Sequence, residues 1–327
     1  MKRTSRILAA TSAAALALTL SACGNTNTDD ASTDTAKYNI GICQLVQHPA
    51  LDKATEGFKD AMLATLGEDN VTFDTQNANN DIPTCITIIN SLVSADVDLI
   101  LANGTAPLQA AAAGTDTIPV IGTSVTDYAT ALYMDNWTGT TGRNISGTSD
   151  LAPLDEQAEM IAELFPDVKD IGLLYCSGEP NSAYQVNVME EYLTEKGYTC
   201  NHYTFTDSND IVAVTQVAAD ASDMIYIPTD NVAAANTELI ANVVLPAKVP
   251  VFAGESNLCS GCGLATLSID YYALGQQAGF MAYDILANGS DISTMEVEVS
   301  PTTKKLYNES VAESLGITMP EDYSPLA

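Results

Sequence analysis

The sequence predicts an α/β protein made of two similar lobes, each built on a parallel sheet. Three observations carry that expectation. Strand-like and helix-like segments alternate from Tyr38 onward, the alternation restarts near Ile171, and three patterns of the first half recur in the second in the same order. Strands separated by helices form βαβ units and therefore parallel sheets.

The elements follow in order. Tyr38-Asn-Ile-Gly-Ile42 reads as a strand, and Leu51, Ala54, Phe58, Met62 and Leu66 then repeat at helical spacing, with Gly67 as the stop. Val71 to Thr75 is a strand, Ile82 to Ser94 a helix, Val97 to Ala102 a buried strand, residues 107–113 a short Ala-rich helix, and Ile118 to Ile121 another strand. In the second half Ile171-Gly-Leu-Leu-Tyr175 repeats the opening Ile40-Gly-Ile-Cys43, and a helix runs from Tyr184 to Lys196, closed by Gly197. Asp98-Leu-Ile-Leu-Ala-Asn-Gly-Thr105 is echoed by Asp223-Met-Ile-Tyr-Ile-Pro-Thr-Asp230, and Ile118-Pro-Val-Ile-Gly-Thr-Ser124 by Val249-Pro-Val-Phe-Ala-Gly-Glu-Ser256. Three echoes in register imply two lobes of the same strand order.

The N-terminus reads as an export signal. Lys2, Arg3 and Arg6 precede an apolar stretch from Ile7 to Leu20, too short to span a bilayer comfortably, and small residues follow. Leu20-Ser-Ala-Cys23 resembles the lipobox of bacterial lipoproteins, so residues 1–23 are expected to be a lipoprotein signal peptide, with the mature chain beginning at a lipidated Cys23 that anchors it to the extracytoplasmic face of the cell membrane. Residues 24–36, rich in Asn, Thr, Ser and Asp, are expected to be a disordered tether. Composition supports a folded body behind it: 46% of residues are hydrophobic, enough to pack cores despite the acidity. With the three signal cations set aside, nine basic side chains face 42 acidic ones, which leaves no electrostatic footprint for nucleic acid or an anionic membrane.

Setting Cys23 aside leaves Cys43, Cys85, Cys176, Cys200, Cys259 and Cys262, an even set that in an exported chain reads as disulfides. Six cysteines allow 15 connectivities. Proximity favours Cys176–Cys200 and Cys259–Cys262, with Cys43–Cys85 as the remainder. Cys259-Ser-Gly-Cys262 also has the spacing of a redox or zinc motif, but no second such pair and no nearby histidine accompanies it, so neither a metal nor a cofactor is expected.

In open α/β sheets, ligands sit beyond the carboxyl ends of the strands. Two facing lobes would line a cleft with loops beginning at Gln44, Thr105 and Ser124 in the first, and around Glu179 to Ser182, at Asp230 and at Glu255 in the second. One wall offers an amide and hydroxyls (Gln44, Asn103, Thr105, Ser124); the other adds carboxylates (Glu179, Asp230, Glu255). Donors at helix N-termini suit a carboxylate and an ionised acid suits an ammonium, so the set suits a zwitterion such as an amino acid. The competing reading is that Asp230 and Glu255 are helix N-caps. Arg143 is the sole arginine beyond the signal, so no cluster exists to clamp a phosphate. No nucleotide-binding, zinc-protease or serine-hydrolase motif is present, and His48 and His202 lack a matched nucleophile. An exported hydrolase using an acid pair is the competing class.

The chain resembles the solute-binding lipoproteins of ABC transporters, and among them the tryptophan/tyrosine-type binding proteins. The residues that carry the resemblance are Ile40-Gly-Ile-Cys-Gln44 with His48-Pro-Ala-Leu-Asp52, Gln76-Asn-Ala78, Val125-Thr-Asp127, Asn144-Ile-Ser-Gly147 with Ser149-Asp150, Gly178-Glu-Pro-Asn-Ser182, Pro228-Thr-Asp-Asn231 and Asp270-Tyr-Tyr272, in order over residues 38–320. The resemblance implies a type I periplasmic-binding-protein fold, two Rossmann-like lobes joined by a three-segment hinge. Residues 37–147 with 270–289 would form one lobe, and 148–269 with 290–327 the other. It implies a monomer that binds a small zwitterion, often an aromatic amino acid, and docks on an ABC permease driven by its ATPase. It places Gln44, Thr105, Asn181, Ser182 and Asp230 at ligand-binding positions, and Asp127 and Asn231, which lie in the matching motifs, join them as candidates. A nucleoside or small peptide as ligand, or a sensing role, are the alternatives. The sequence departs from the family at Tyr128, where proline is common, and in residues 129–143, which look longer and hold Trp137, the one tryptophan. Either aromatic could stack on an aromatic ligand.

Overall fold

The computed structural model describes residues 37–300 and 302–326. The signal, the tether and Cys23 lie outside the described residues.

The first half opens with β1 (Tyr38–Gln44), α1 (Pro49–Leu66), β2 (Val71–Asn77), α2 (Ile82–Ser94), β3 (Leu99–Asn103), α3 (Thr105–Gly114), β4 (Val120–Val125), α4 (Tyr128–Ala131) and β5 (Ile145–Ser149). The second repeats the alternation with α5 (Leu154–Leu164), β6 (Asp170–Cys176), α6 (Pro180–Glu195), β7 (Thr199–Phe205), α7 (Ile211–Ala221), β8 (Met224–Ile227), α8 (Asn231–Ala235), α9 (Thr237–Ala247), β9 (Val251–Ala253), α10 (Ser256–Cys262) and β10 (Ala265–Ile269). The chain ends with α11 (Tyr271–Leu286), β11 (Glu298–Val299), β12 (Thr303–Tyr307), α12 (Glu309–Leu315) and β13 (Ser324–Pro325).

Two sheets result. One runs β11-β5-β4-β3-β1-β2 and the other β13-β12-β10-β9-β8-β6-β7. The cores of the two sheets share one order: the first strand of each half is flanked by the second on one side and by the third, fourth and fifth on the other. Strands β3 and β4 are buried along their whole length, as expected when helices cover both faces of a parallel sheet. The sequence echoes perform equal tasks. Asp98 accepts the backbone N–H of Asn39, and Asp223 accepts those of Lys169 and Asp170. The carbonyl of Pro119 receives Ile100, and that of Pro250 receives Ile225.

The chain passes between sheets three times: after β5, between β10 and α11, and between β11 and β12. Two boundaries differ from the sequence expectation. Gly147 lies within β5, so the first passage comes after Ser149. Residues 290–299, expected in the second lobe, run along the first: Glu298 and Val299 pair with Thr148 and Ser149, and Ile292 and Met295 pack on the first lobe's core. The reason is a two-residue edge strand that carries no periodicity. α11 packs on α1 so closely that a Cβ at Gly275 would lie 2.0 Å from the carbonyl oxygen of Ala54, so only glycine fits there.

All six cysteines of the body are free thiols. The expected Cys176–Cys200 bridge is corrected by strand register. Cys200 sits beside Ile171 and Cys176 beside Phe205, so the two thiols lie five residues apart along the β6–β7 ladder, about 16 Å at the strand rise, far beyond disulfide reach. Cys259 and Cys262 share one face of α10 as buried thiols, and Cys43 and Cys85 sit as buried thiols in one core, where Cys85 and burial push the Cys43 thiol up. Burial pushes Cys262 up to about 12, and burial with the charges of Asp230 and Glu179 pushes Cys176 up to about 12, so both are poor nucleophiles.

Candidate ligand-binding site

The carboxyl ends of both sheets face one another, and every residue named from the sequence lies at a strand end or helix start there. Most of the second lobe's wall is one connected network, with Glu255 standing apart from it. Asp230 precedes α8 and its Oδ1 accepts the N–H of Ala233 at 2.8 Å. Its Oδ2 accepts the N–H of Cys176 at 2.7 Å and the Ser182 hydroxyl at 2.8 Å. Glu179 precedes α6 but spends its carboxylate on the neighbouring helix: Oε1 accepts Val232 N–H, and Oε2 accepts the backbone and side-chain N–H groups of Asn231 and the amide of Asn181. Glu255 caps α10, accepting Asn257 and Leu258 N–H at 2.6 Å each. The cap reading of Asp230 and Glu255 therefore describes their geometry, and any ligand contact is additional to it.

These acids are buried: Asp230 is 1% exposed and Glu255 2%. Burial first, and then the charge of Glu179, raise Asp230 to about 8. Burial raises Glu255 to about 7, against the pull of its two cap bonds and with the charge of Asp150 adding. Among the described residues, the ion pairs join Lys53 to Glu56, Lys196 to Glu159, His202 to Glu190, and Lys305 to Glu163 and Asp322. None of these cations reaches Asp230, Glu179, Glu255 or Asp150.

The first lobe's wall is built differently. Gln44 is fully spent inside its own lobe: its amide donates to Val46 and Asp52 and accepts from Thr55. Asn103 donates to the Leu51 carbonyl and to Thr55, leaving its buried Oδ1 without a partner. Ser124 sits at φ 53 at the end of β4, an uncommon left-handed conformation for serine, and its buried hydroxyl also lacks a partner. Thr105 is buried at the first position of α3, and Asp127 is half-buried, capping α4 through Thr130. Of the named set, the structure thus brings Glu179, Asn181, Ser182, Asp230 and Asn231 into one network. Gln44 and Asn103 are joined through Thr55, and Asp127 stands at the margin.

Residues that the sequence reading did not select complete the site. His48 crosses the cleft: its Nε2 lies 3.3 Å from Asn231 Oδ1 of the opposite lobe. Asp150, at the first passage, accepts from Thr126 at 3.0 Å and from Tyr271, at the second, at 2.9 Å, so one carboxylate ties two hinge strands together. Burial raises Asp150, against those two bonds. A place immediately after a strand at a crossing was the available signal for Asp150. Tyr128 is corrected as a ligand-stacking candidate. It is buried in the first lobe, its hydroxyl donates to Thr148, and it fills space above Gly122 and Gly147, where a Cβ would lie 2.4 Å from that hydroxyl. Trp137 stacks on Tyr128 at 6.4 Å from outside.

The chain belongs to the ABC transporter substrate-binding protein family, whose pattern it matches over residues 39–327. Members of this family capture small ligands outside the cytoplasm and act with a membrane permease; they are binding proteins, not enzymes. The chain is 35% identical to a tyrosine-binding protein of Clostridioides difficile over 294 residues, 89% of this chain and 85% of that one. It is 31% identical to an ABC domain from Streptococcus pneumonia crystallised with L-Trp, with a TM-score of 0.84, covering 88% of this chain and 97% of that one. Against the ligand-free, open structure of a substrate-binding protein with adhesive properties from Clostridium difficile, identity is 35% but the TM-score 0.68, with 88% and 99% covered. Among the described residues no helix is long and apolar enough to cross a membrane.

Proposed function

We propose that this protein captures a free amino acid, with an aromatic side chain, in the closed interlobe cleft and hands it to an ABC importer. The observation that carries the reading is an imbalance. Four buried carboxylates stand at the cleft without a cationic partner, opposite buried polar atoms that lack any partner. An unpaired buried charge is costly, so burial holds Asp230 and Glu255 protonated to higher pH than usual, and an α-ammonium supplies the positive charge that would let them ionise. Ligand contacts to both lobes would favour the closed state over the open one. The tyrosine-binding relative and the tryptophan complex support an aromatic ligand. The lipobox-like Cys23 with its polar tether supports membrane anchoring beside the permease, and the cytoplasmic ATPase follows from the family.

Calorimetric titration with the twenty amino acids tests it. One or a few should bind, with Tyr, Phe or Trp among them. Silence across that panel together with binding of a nucleoside or short peptide would sink the amino-acid reading.

A further inference from the structure

A cavity of about 480 Å³ lies within the first lobe, between one face of α1 and the carboxyl end of β2. Every side chain that lines it is polar or charged, and none comes from the second lobe. Its floor is prearranged. Gln44 and Thr55 are buried there, bonded to each other at 2.7 Å, and Thr55 also receives the amide of Asn103 at 2.9 Å. The rim is formed by Asp52 and Lys59 on α1 and by Gln76 and Asn77 on β2.

Two opposite charges face this cavity without meeting. Asp52 and Lys59 stand two turns apart on α1, about 10 Å along its axis. Helical side chains lean toward the N-terminus, so Lys59 reaches back toward Asp52. Even so, Lys59 enters none of the ion pairs among the described residues. Its ammonium lies 5.6 Å over the Phe73 ring, and burial lowers its proton affinity with no carboxylate to offset the effect. Asp52 accepts Gln44 Nε2 through Oδ1 at 2.7 Å, and its Oδ2 has no hydrogen-bond partner among the described residues. Glu56, on the same rim, is already paired with Lys53 at 2.6 Å. In a body with nine cations against 42 acids, a lysine that faces a cavity without an acid partner is a bare anion receptor.

We propose that this cavity is a second ligand site, for a small hydrophilic zwitterion such as a free amino acid with a short polar side chain, whose carboxylate meets Lys59 and whose ammonium meets Asp52 Oδ2. An α-amino acid with a hydrogen bond at each end spans such a gap between unlike charges. An aromatic side chain would find no apolar surface to cover there, so this ligand differs from the one proposed for the cleft. One lobe supplies every contact, so the site needs no lobe movement and stands independently of what the cleft binds.

Equilibrium dialysis with radiolabelled L-serine, with and without saturating tyrosine, tests the proposal on wild type, Lys59→Met and Asp52→Asn. Lys59→Met keeps the stem over Phe73 and removes the charge. Wild type should bind one equivalent of serine that tyrosine does not displace. Each variant should weaken serine about tenfold or more, and Lys59→Met should keep the wild-type melting temperature and tyrosine affinity. Absence of serine binding, displacement of serine by tyrosine, or wild-type serine affinity in Lys59→Met would each overturn the second site. If tyrosine itself does not bind, the aromatic reading of the cleft fails, and the comparison of wild type with Lys59→Met still decides this one.

Discussion

The two walls of the cleft are built on opposite principles. On the second lobe each buried acid is already satisfied by helix N–H groups and hydroxyls, and what is missing is a positive charge. On the first lobe the polar groups are neutral, and what is missing is a hydrogen-bond partner, at Ser124 Oγ, Asn103 Oδ1 and His48 Nδ1. A prearranged network cannot be cut without cost to the fold, whereas an unpartnered atom contributes nothing to the fold and can be removed cheaply. Substitutions on the two walls should therefore separate stability from binding.

The largest effect is expected at Asp230. Asp230→Ala strands the N–H groups of Cys176 and Ala233 and the Ser182 hydroxyl, so urea denaturation should report a loss of about 3 kcal/mol along with loss of ligand binding. A fold as stable as wild type would mean the cap network is dispensable and the walls are alike after all.

The next is a pH dependence of opposite sign in stability and affinity. Asp230 at about 8 and Glu255 at about 7 lie above the usual carboxylate range near 4. Between about pH 4 and 8 the unliganded folded protein holds protons that the unfolded chain has released, so folding stability falls as pH rises through that window. Pairing with an ammonium needs the charged carboxylates, so affinity rises over the same interval and binding releases protons. Thermal melts and calorimetry in buffers of different ionisation enthalpy measure the two trends, and parallel trends would contradict the assignment.

Ser124→Ala should be nearly silent in stability, within about 0.5 kcal/mol, because its hydroxyl has no partner to lose. Ligand affinity should still fall severalfold. The smallest expected signal comes from the cysteines: peptide mapping without reduction should recover no Cys176–Cys200 linkage, since that bridge requires the β6–β7 ladder to come apart.

Much of this was readable before any coordinates. Strand–helix alternation and the echoes around Asp98 and Asp223 located both lobes, because a buried parallel strand and its flanking aspartate leave the same trace wherever they occur. Helix starts at Asp230 and Glu255 are readable as either caps or ligand contacts, and the geometry shows that capping comes first, whereas Glu179 gives its carboxylate to the neighbouring helix and not to its own. Cysteine pairing was not readable, because closeness in sequence says nothing of strand register. Neither was the placement of residues 290–299, since a two-residue edge strand has no period. His48 and Asp150 matter through partners 183 and 121 residues away, Asn231 and Tyr271, and no local pattern records such pairs.

The central claim is that a ligand ammonium completes the acidic wall. The most direct measurement is calorimetric titration of the best-binding amino acid beside its deamino analogue, identical except for hydrogen in place of the amine. Loss of binding by at least about a hundredfold in the analogue is predicted, the scale of one or more charge-assisted hydrogen bonds. Equal affinity for the two would contradict the account.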